Sequence, residues 1–306
     1  MIIDKPKVSI GLAVYNGERY LREAIDSILA QTYTDFELII SDNASIDGTA
    51  QICQEYASQD PRIRYHRNPT NIGGANNENL TFRMARGEYF RLAAHDDYLA
   101  PTLLEKCVSV LEQMPDVILV YTEIFEIDEE GKVVLTKSLR KGISPRPSHR
   151  FHDLAFHDHN CEPSYGLMRS DTLRKTPLQH NFTDSDRVLL CELALHGRFF
   201  EIPEALFHKR YHPGNAYIDW RSSRISWFNP AWKGKIILPY WLKLFHLFVV
   251  IHRVSLPLRE RLSCYGTLLL WLLKYGRRMI KDVLVAAYMI LHSKEWRVKQ
   301  AVTNWE

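Results

Sequence analysis

Four short apolar runs, each followed by a polar cluster and then a helix-patterned stretch, constrain this chain more than any other feature. Val8–Val14 (VSIGLAV) has the continuous hydrophobicity of a strand buried on both faces. Tyr20, Leu21, Ala24, Ile25, Ile28 and Leu29 then fall on one side of a helix. Phe36–Ile40 reads as a second strand. The helix after it carries Ile52, Cys53, Tyr56 and Ala57 on one stripe, with Asp47 expected as its N-cap. Arg62–His66 is a short third strand, and Asn71–Asn79 is a polar loop entering a helix that ends near Arg86-Gly87. Tyr89–Ala93 is the fourth strand. This β-α-β-α-β-α-β alternation predicts a mostly parallel, twisted sheet with helices on both faces.

Open sheets of that kind bind ligands at the carboxyl ends of their strands. Tyr15/Asn16/Glu18, Asp42/Asn43/Ser45 and His95/Asp96/Asp97 each lie just past a strand end. Three polar clusters converging on one rim define a candidate site. Any one of them alone would have a bland explanation, such as an Asx-turn at Asp42 or an N-cap at Asp96/Asp97.

Beyond residue 100 the pattern continues. A helix is expected over Leu103–Met114, a strand over Val117–Thr122 and a hairpin turn at Glu129–Lys132. Residues 140–163, rich in Arg, Pro and His, read as a long surface loop. Asp186–His196 reads as a helix closed by Gly197 at C′, followed by two short strands, Arg198–Ile202 and Ala205–Arg210. His149, His152, His157 and His159 read as loop residues that make hydrogen bonds, not as metal ligands.

Charge divides the chain. Residues 221–306 hold 15 Lys+Arg against 4 Asp+Glu, whereas residues 1–220 hold 24 against 32, and all seven tryptophans stand at position 220 or later. Two regions follow: residues 1–220, and a basic, Trp-rich helical extension over 221–306. The extension's apolar runs, Ile236–Val250 and Leu268–Leu273, are interrupted by Lys and Arg before reaching a membrane-spanning length. Apolar faces flanked by Lys and Arg suit a helix lying on an anionic membrane surface. No nucleic-acid-binding module accompanies the basic charge, so a nucleic-acid partner is not expected. Five scattered cysteines with no CxxC pair, and no secretory leader, lead to the expectation of a cytoplasmic protein peripheral to the membrane's inner face.

Adjacent Asp96 and Asp97 are hard-oxygen donors suited to Mg2+ or Mn2+ on a diphosphate. Asp42 at a neighbouring strand end can accept the N3–H of a uracil, and Tyr15 can supply a stacking face. Val8-Ser9-Ile10, Tyr15–Glu18, Ser27–Thr32, Asp42–Thr49, Gly87-Glu88-Tyr89 and His95-Asp96-Asp97, in that order and spacing, resemble the family 2 glycosyltransferases of the GT-A fold. The likeness is continuous over about residues 7–105 and weaker to about 215.

That resemblance implies a metal-assisted, inverting transfer of one sugar from a nucleotide-diphosphate donor, UDP-linked, to a glycan or lipid-linked acceptor. It divides residues 1–220 into a nucleotide-sugar-binding half (1–110) and an acceptor-binding half (111–220), and assigns Tyr15 and Asp42 to the base, with Glu18 nearby, and Asn71, Gly73, Asn77 and Asn79 to the donor side. Ala13, Asn16, Asn43, Ser45 and His95 complete the nucleotide-sugar set. Asp96 matches the last carboxylate of the family's Asp-x-Asp motif, but Ala94 replaces the first, which leaves Asp97 to assist. Arg210-Tyr211-His212 resembles an Arg-x-His element, placing Arg210 at the diphosphate and His212 at the metal. The absence of the Gln-x-x-Arg-Trp motif argues against a processive polymerase. A general base is expected at Asp186, with Asp184 as the second choice and helix capping as the plain structural role for either. Two other functions compete. A sugar-1-phosphate nucleotidyltransferase would need a basic, Gly-rich first loop that Ala13–Glu18 lacks. A non-catalytic sugar-nucleotide or scaffold protein would not need Asp96, Asp97 and Asp186.

Overall fold

The computed structural model describes residues 5–212 and 235–291. The expected boundary at 220/221, and Trp220, Trp227, Trp232, Trp296 and Trp305, lie outside the described residues. The first part of the chain runs β1 (Val8–Val14), α1 (Leu21–Leu29), β2 (Phe36–Asp42), α2 (Thr49–Gln59), β3 (Ile63–Arg67), α3 (Gly74–Met84) and β4 (Tyr89–Ala93). Next come β5 (Tyr98–Leu99), α4 (Leu103–Gln113), β6 (Val117–Ile127), β7 (Val133–Lys137), α5 (Pro147–Phe156), β8 (Leu167–Arg169), α6 (Ser170–Leu173), α7 (Ser185–His196) and β9 (Arg198–Arg210). Two further helices are α8 (Pro239–Arg253) and α9 (Leu258–Leu291).

Among the described residues the strands form one sheet in the order β3-β2-β1-β4-β8-β6-β9-β5, with β7 paired to β6. β1 pairs in parallel with β2 and β4, and β2 with β3. The chain therefore reverses its winding direction between β1 and β4, where such sheets open a crevice. β8 is antiparallel to both β4 and β6, and β9 returns parallel to β6. The alternating β-α reading of the first hundred residues holds, strand by strand.

β1 is buried along nearly its whole length because helices cover both faces of the sheet. α3 comes so close that a Cβ on Gly11 would sit 2.2 Å from Thr81 Oγ1 and 2.8 Å from the Phe90 ring. All five cysteines are free and buried.

Four local expectations change. Residues 140–163 contain α5, which Pro147 starts at a first-turn position. Its Arg150, Phe151, Leu154 and Ala155 are buried against α7 and α9. Arg150 is a core residue because its guanidinium donates to the carbonyls of Ala194, Ser144 and Pro145. The two strands expected after Gly197 are a single bent strand, β9, whose irregularities near Pro203 shift its register against β6. Gly197 has extended backbone, not a left-handed cap conformation. It is needed because a Cβ there would meet Ile118 at 2.3 Å. The N-cap of α2 is Gly48, while Asp47 accepts the amides of Thr49 and Glu18.

α8 and α9 are helical, as expected of the extension. They pack on α5 and α7 by inserting Leu247, Val250, Ile251, Leu268 and the fully buried Trp271 into the shared core.

Candidate active site

The parallel register sets Val14 beside Asp42 at the carboxyl ends of β1 and β2. The loops that follow are stitched to each other. Asn43 N–H donates to the Val14 carbonyl at 2.8 Å, Asn16 N–H to Ser45 Oγ at 2.9 Å, and Ile46 N–H to Asn16 Oδ1 at 2.9 Å. Gly17 N–H donates to Thr49 Oγ1, and Gly48 N–H to Glu18 Oε2 at 2.6 Å. Asn16, Glu18, Asn43 and Ser45 thus hold the rim in shape, and Ala13 lies at its edge. Tyr15 projects outward, 43% exposed. Gly17 packs against His95, joining the β1 loop to the loop after β4.

Asp42 lies wholly inside, at 0% exposure. Its Oδ1 accepts the Ser45 amide at 2.8 Å and its Oδ2 the Tyr65 hydroxyl at 3.0 Å, while the Arg67 guanidinium lies 3.7 Å away. Arg67 also donates to the Ser45 carbonyl. Tyr65 and Arg67 are not foreseen from the sequence. Their signal was the strand pattern itself, because they sit two apart on β3 and Arg67 is in register with Asp42.

The segment from Asn71 to Asn79 behaves similarly. Asn71 Oδ1 accepts from Asn43 Nδ2 and from Gly73 N–H, each at 2.9 Å. Gly73 has φ of 86°, a left-handed conformation that glycine tolerates, and α3 starts directly from it. Asn77 is buried between Ser41 and Asn68. Asn79 clasps the backbone of Gln179, giving its amide to the carbonyl at 2.8 Å and taking the N–H at 3.1 Å. Asn77 and Asn79, expected to line the donor, therefore face inward and position α3.

After β4, the two adjacent aspartates part company. Asp96 Oδ2 lies 3.1 Å from His212 Nε2. Burial opposes its charge, but His95 and His212 outweigh that penalty and hold its carboxyl below the usual range. Asp97 turns the other way, and its Oδ1 accepts the Arg210 N–H at 2.8 Å. Burial, reinforced by the charge of Asp96, pushes Asp97 up to about 8. The geometry thus corrects the expectation that Asp97 shares the cation. One carboxylate faces His212; the other is an internal acceptor.

Arg210 is also corrected. Its side chain is buried, pairing with Glu23 at 2.5 Å and donating to the carbonyls of Asp96, Asp128 and Glu129. It clamps the loops after β4 and β6 instead of reaching toward a diphosphate. Among the described residues, no group of three His, Cys, Asp or Glu side chains could hold a metal ion.

Further along the chain, the residue before α7, Asp184, has φ of 68° and accepts Lys243 of α8 at 3.1 Å. Asp186 stands in the first turn of α7, half-buried, with Oδ1 near the Arg187 amide at 2.8 Å. Arg187 ties down the preceding loop through the carbonyls of Leu154, His157 and His159. His159 hydrogen-bonds the Leu154 carbonyl and the Cys161 amide, a structural role as expected. Sequence reasoning overlooked Glu78, which points from α3 to the Gln179 amide. Burial pushes Glu78 up to about 7 against that hydrogen bond, with the Asp186 charge adding to the rise. Glu78 was hidden between Asn77 and Asn79, to which the resemblance gave the donor side.

The 3-2-1-4 strand order, the crevice at its reversal and the carboxylate after β4 define a GT-A-type α/β fold. Residues 9–176 match Glycosyl transferase family 2, and the chain belongs to that family. It is 37% identical over 134 residues to the uncharacterized glycosyltransferase MJ1057 of Methanocaldococcus jannaschii, covering 43% of this chain and 46% of that protein. Over 127 residues it is 41% identical to the putative glycosyltransferase EpsE of Bacillus subtilis, covering 41% and 46%. The chain thus spans about half the length of these curated relatives. TarS from S. aureus, solved with UDP, superposes with a TM-score of 0.65 at 15% identity, covering 89% of this chain and 73% of TarS. The mannosyltransferase PcManGT from Pyrobaculum calidifontis, solved with GDP-Man and Mn2+, gives 0.52 at 18% identity, covering 95% and 89%. At such identities the likeness is one of fold.

Proposed function

We propose that the chain is an inverting, non-processive glycosyltransferase. It moves one sugar from a nucleoside-diphosphate donor, UDP-linked, to a hydroxyl of a glycan or lipid-linked acceptor. The observation that carries this reading is the path of α3. The helix starts from the loop fastened to Asn43 on the proposed donor rim, and four residues later its Glu78 accepts the Gln179 side-chain amide and feels the charge of Asp186. Donor rim and candidate base are thereby parts of one construction.

In the proposed step, Asp186 takes the proton of the acceptor hydroxyl as its oxygen forms a bond to the anomeric carbon. The bond from that carbon to the diphosphate oxygen breaks on the opposite side, so configuration inverts. Asp186 is favoured over Asp184 because it stands in the first turn of α7, within electrostatic reach of Glu78. Tyr15 offers the exposed ring for the base, above a floor that Asp42 holds rigid.

Asp96 and His212 are a carboxylate and an imidazole side by side, a donor pair that suits Mn2+ or Mg2+ shared with phosphate oxygens and water. A cation held there would neutralise charge on the departing diphosphate. The PcManGT complex with Mn2+ supports this use of the fold.

Calorimetric titration with UDP and GDP, with Mn2+ or with EDTA, tests the donor site. UDP is expected to bind only when the metal is present. Nucleotide release from UDP-sugars by wild type and by Asp186→Asn then tests the base. If neither nucleotide binds, the transfer reading falls.

A further inference from the structure

α9 is 34 residues long, about 51 Å at 1.5 Å per residue. One side is committed to the protein: Cys264, Thr267, Leu268, Trp271, Tyr275 and Met279 are buried at three- and four-residue spacing. The opposite side ought to be polar, yet Leu258, Leu262, Leu269, Leu273, Ile280 and Leu284 form a second stripe at helical spacing and are all exposed. Leu273 is 82% exposed. An apolar stripe running the length of such a helix is not the scatter of single hydrophobic residues normal on a surface.

α8 widens the same face. Trp241, Phe245 and Phe248, at positions i, i+4 and i+7, are exposed. Two contacts bring that row alongside α9: Trp241 Nε1 donates to the Met279 carbonyl at 3.2 Å, and the Phe248 ring lies 6.1 Å from that of Tyr265. Beyond the α9 stripe, on the far side from α8, stand Arg259, Arg277 and Lys281, all exposed. The two carboxylates of the helix pair turn inward. Glu260 binds Arg146 and the Ser148 amide, and Asp282 accepts the Tyr240 amide. From Pro239 to Leu291 there are eight Lys+Arg and only those two acidic residues.

We infer that this face of α8 and α9 lies flat on an anionic lipid surface, with its leucines and aromatics in the acyl boundary and Arg259, Arg277 and Lys281 at the headgroups. Charge selects this occupant. A second copy would set the same carboxylate-free, basic flank against itself. Among the described residues, no helix is long and apolar enough to cross a membrane, so the contact is parallel to the surface. The inference goes beyond the transfer reading and does not depend on it, because lipid binding is measured without nucleotide.

The test is flotation of the full chain with phosphatidylcholine vesicles and with vesicles carrying 30% phosphatidylglycerol. Binding to the anionic vesicles is expected, weakened by high salt, and at most a trace on the neutral ones. Each basic residue near an anionic surface contributes about fivefold in partition, so Arg259→Ser/Arg277→Ser/Lys281→Ser lowers it roughly a hundredfold. Leu269→Ser/Leu273→Ser/Ile280→Ser abolishes flotation while leaving the circular dichroism spectrum and the urea unfolding midpoint unchanged. The inference is overturned if wild type stays at the bottom with both vesicles or if both variants float like wild type. It is also overturned if the leucine variant merely converts a dimer to a monomer without any change in lipid binding.

Discussion

The rim around Asp42 and the outer face of α8 and α9 treat their side chains in opposite ways. At the rim, nearly every polar group has found an internal partner: Asp42 holds an amide and a phenol, Asn43 and Asn71 hold each other, and Glu18 holds Gly48. On the helix pair, large apolar side chains such as Leu269, Leu273 and Ile280 are left exposed. The first pattern preorganises a surface for a small ligand and costs little on binding. The second leaves apolar area whose burial requires something outside the fold. On the proposed readings, rigid recognition and adhesion fall to separate parts of one chain.

Substitutions can break or sharpen that contrast. The largest effect is expected at the site: Asp186→Asn should lower turnover by about a thousandfold while UDP affinity, measured by calorimetry, stays within about twofold. Asp184→Asn should cost less than about tenfold, and equal losses at both positions would deny Asp186 its separate role. Next comes packing. Gly11→Ala, which forces a Cβ into Thr81 and Phe90, should destabilise the chain by about 2 kcal/mol in urea titrations.

Glu78 tests the interior electrostatically. Its folded-state value of about 7 lies above the ordinary carboxyl value, so the folded chain holds the extra proton between the two. Stability should therefore fall as pH rises through that window, and the loss is complete above about pH 7. Glu78→Gln removes the penalty, and its stability advantage over wild type should grow from nothing near pH 4 to about 2 kcal/mol at pH 8. A constant difference across that range would show that the Glu78 charge is not destabilised by its setting. The smallest effect returns to the helix pair. A Cβ on Gly276 meets nothing within 4 Å, so Gly276→Ala should stabilise α9 by about 0.5–1 kcal/mol, opposite in sign to Gly11→Ala.

The strands and rim clusters of the first hundred residues were legible because apolar runs, helical stripes and polar strand ends follow one another at fixed periods. Legibility failed where a charged residue is spent internally. Arg150 made α5 look like a loop, yet its guanidinium satisfies three carbonyls inside the core. Asp96 and Asp97 read as a matched pair, whereas backbone direction sends one to His212 and the other to the Arg210 amide. Arg210 looked like a phosphate ligand and is a clamp. Long-range partners decide such cases, and local spacing does not encode them. The helix pair shows the converse. Its composition announced a basic, aromatic region, but only the packing of Trp271 and Met279 reveals which side is left facing out.

Having every thiol enclosed has a practical consequence. Burial raises the titration points of Cys53, Cys107, Cys191 and Cys264 to about 12, and Cys161 is shifted upward by the same cause. Maleimides and mild oxidants should leave the native chain untouched. A single cysteine introduced at Leu273 or Ile280 would then be the one reactive position, ready to carry a fluorophore or spin probe without any of the native five being removed.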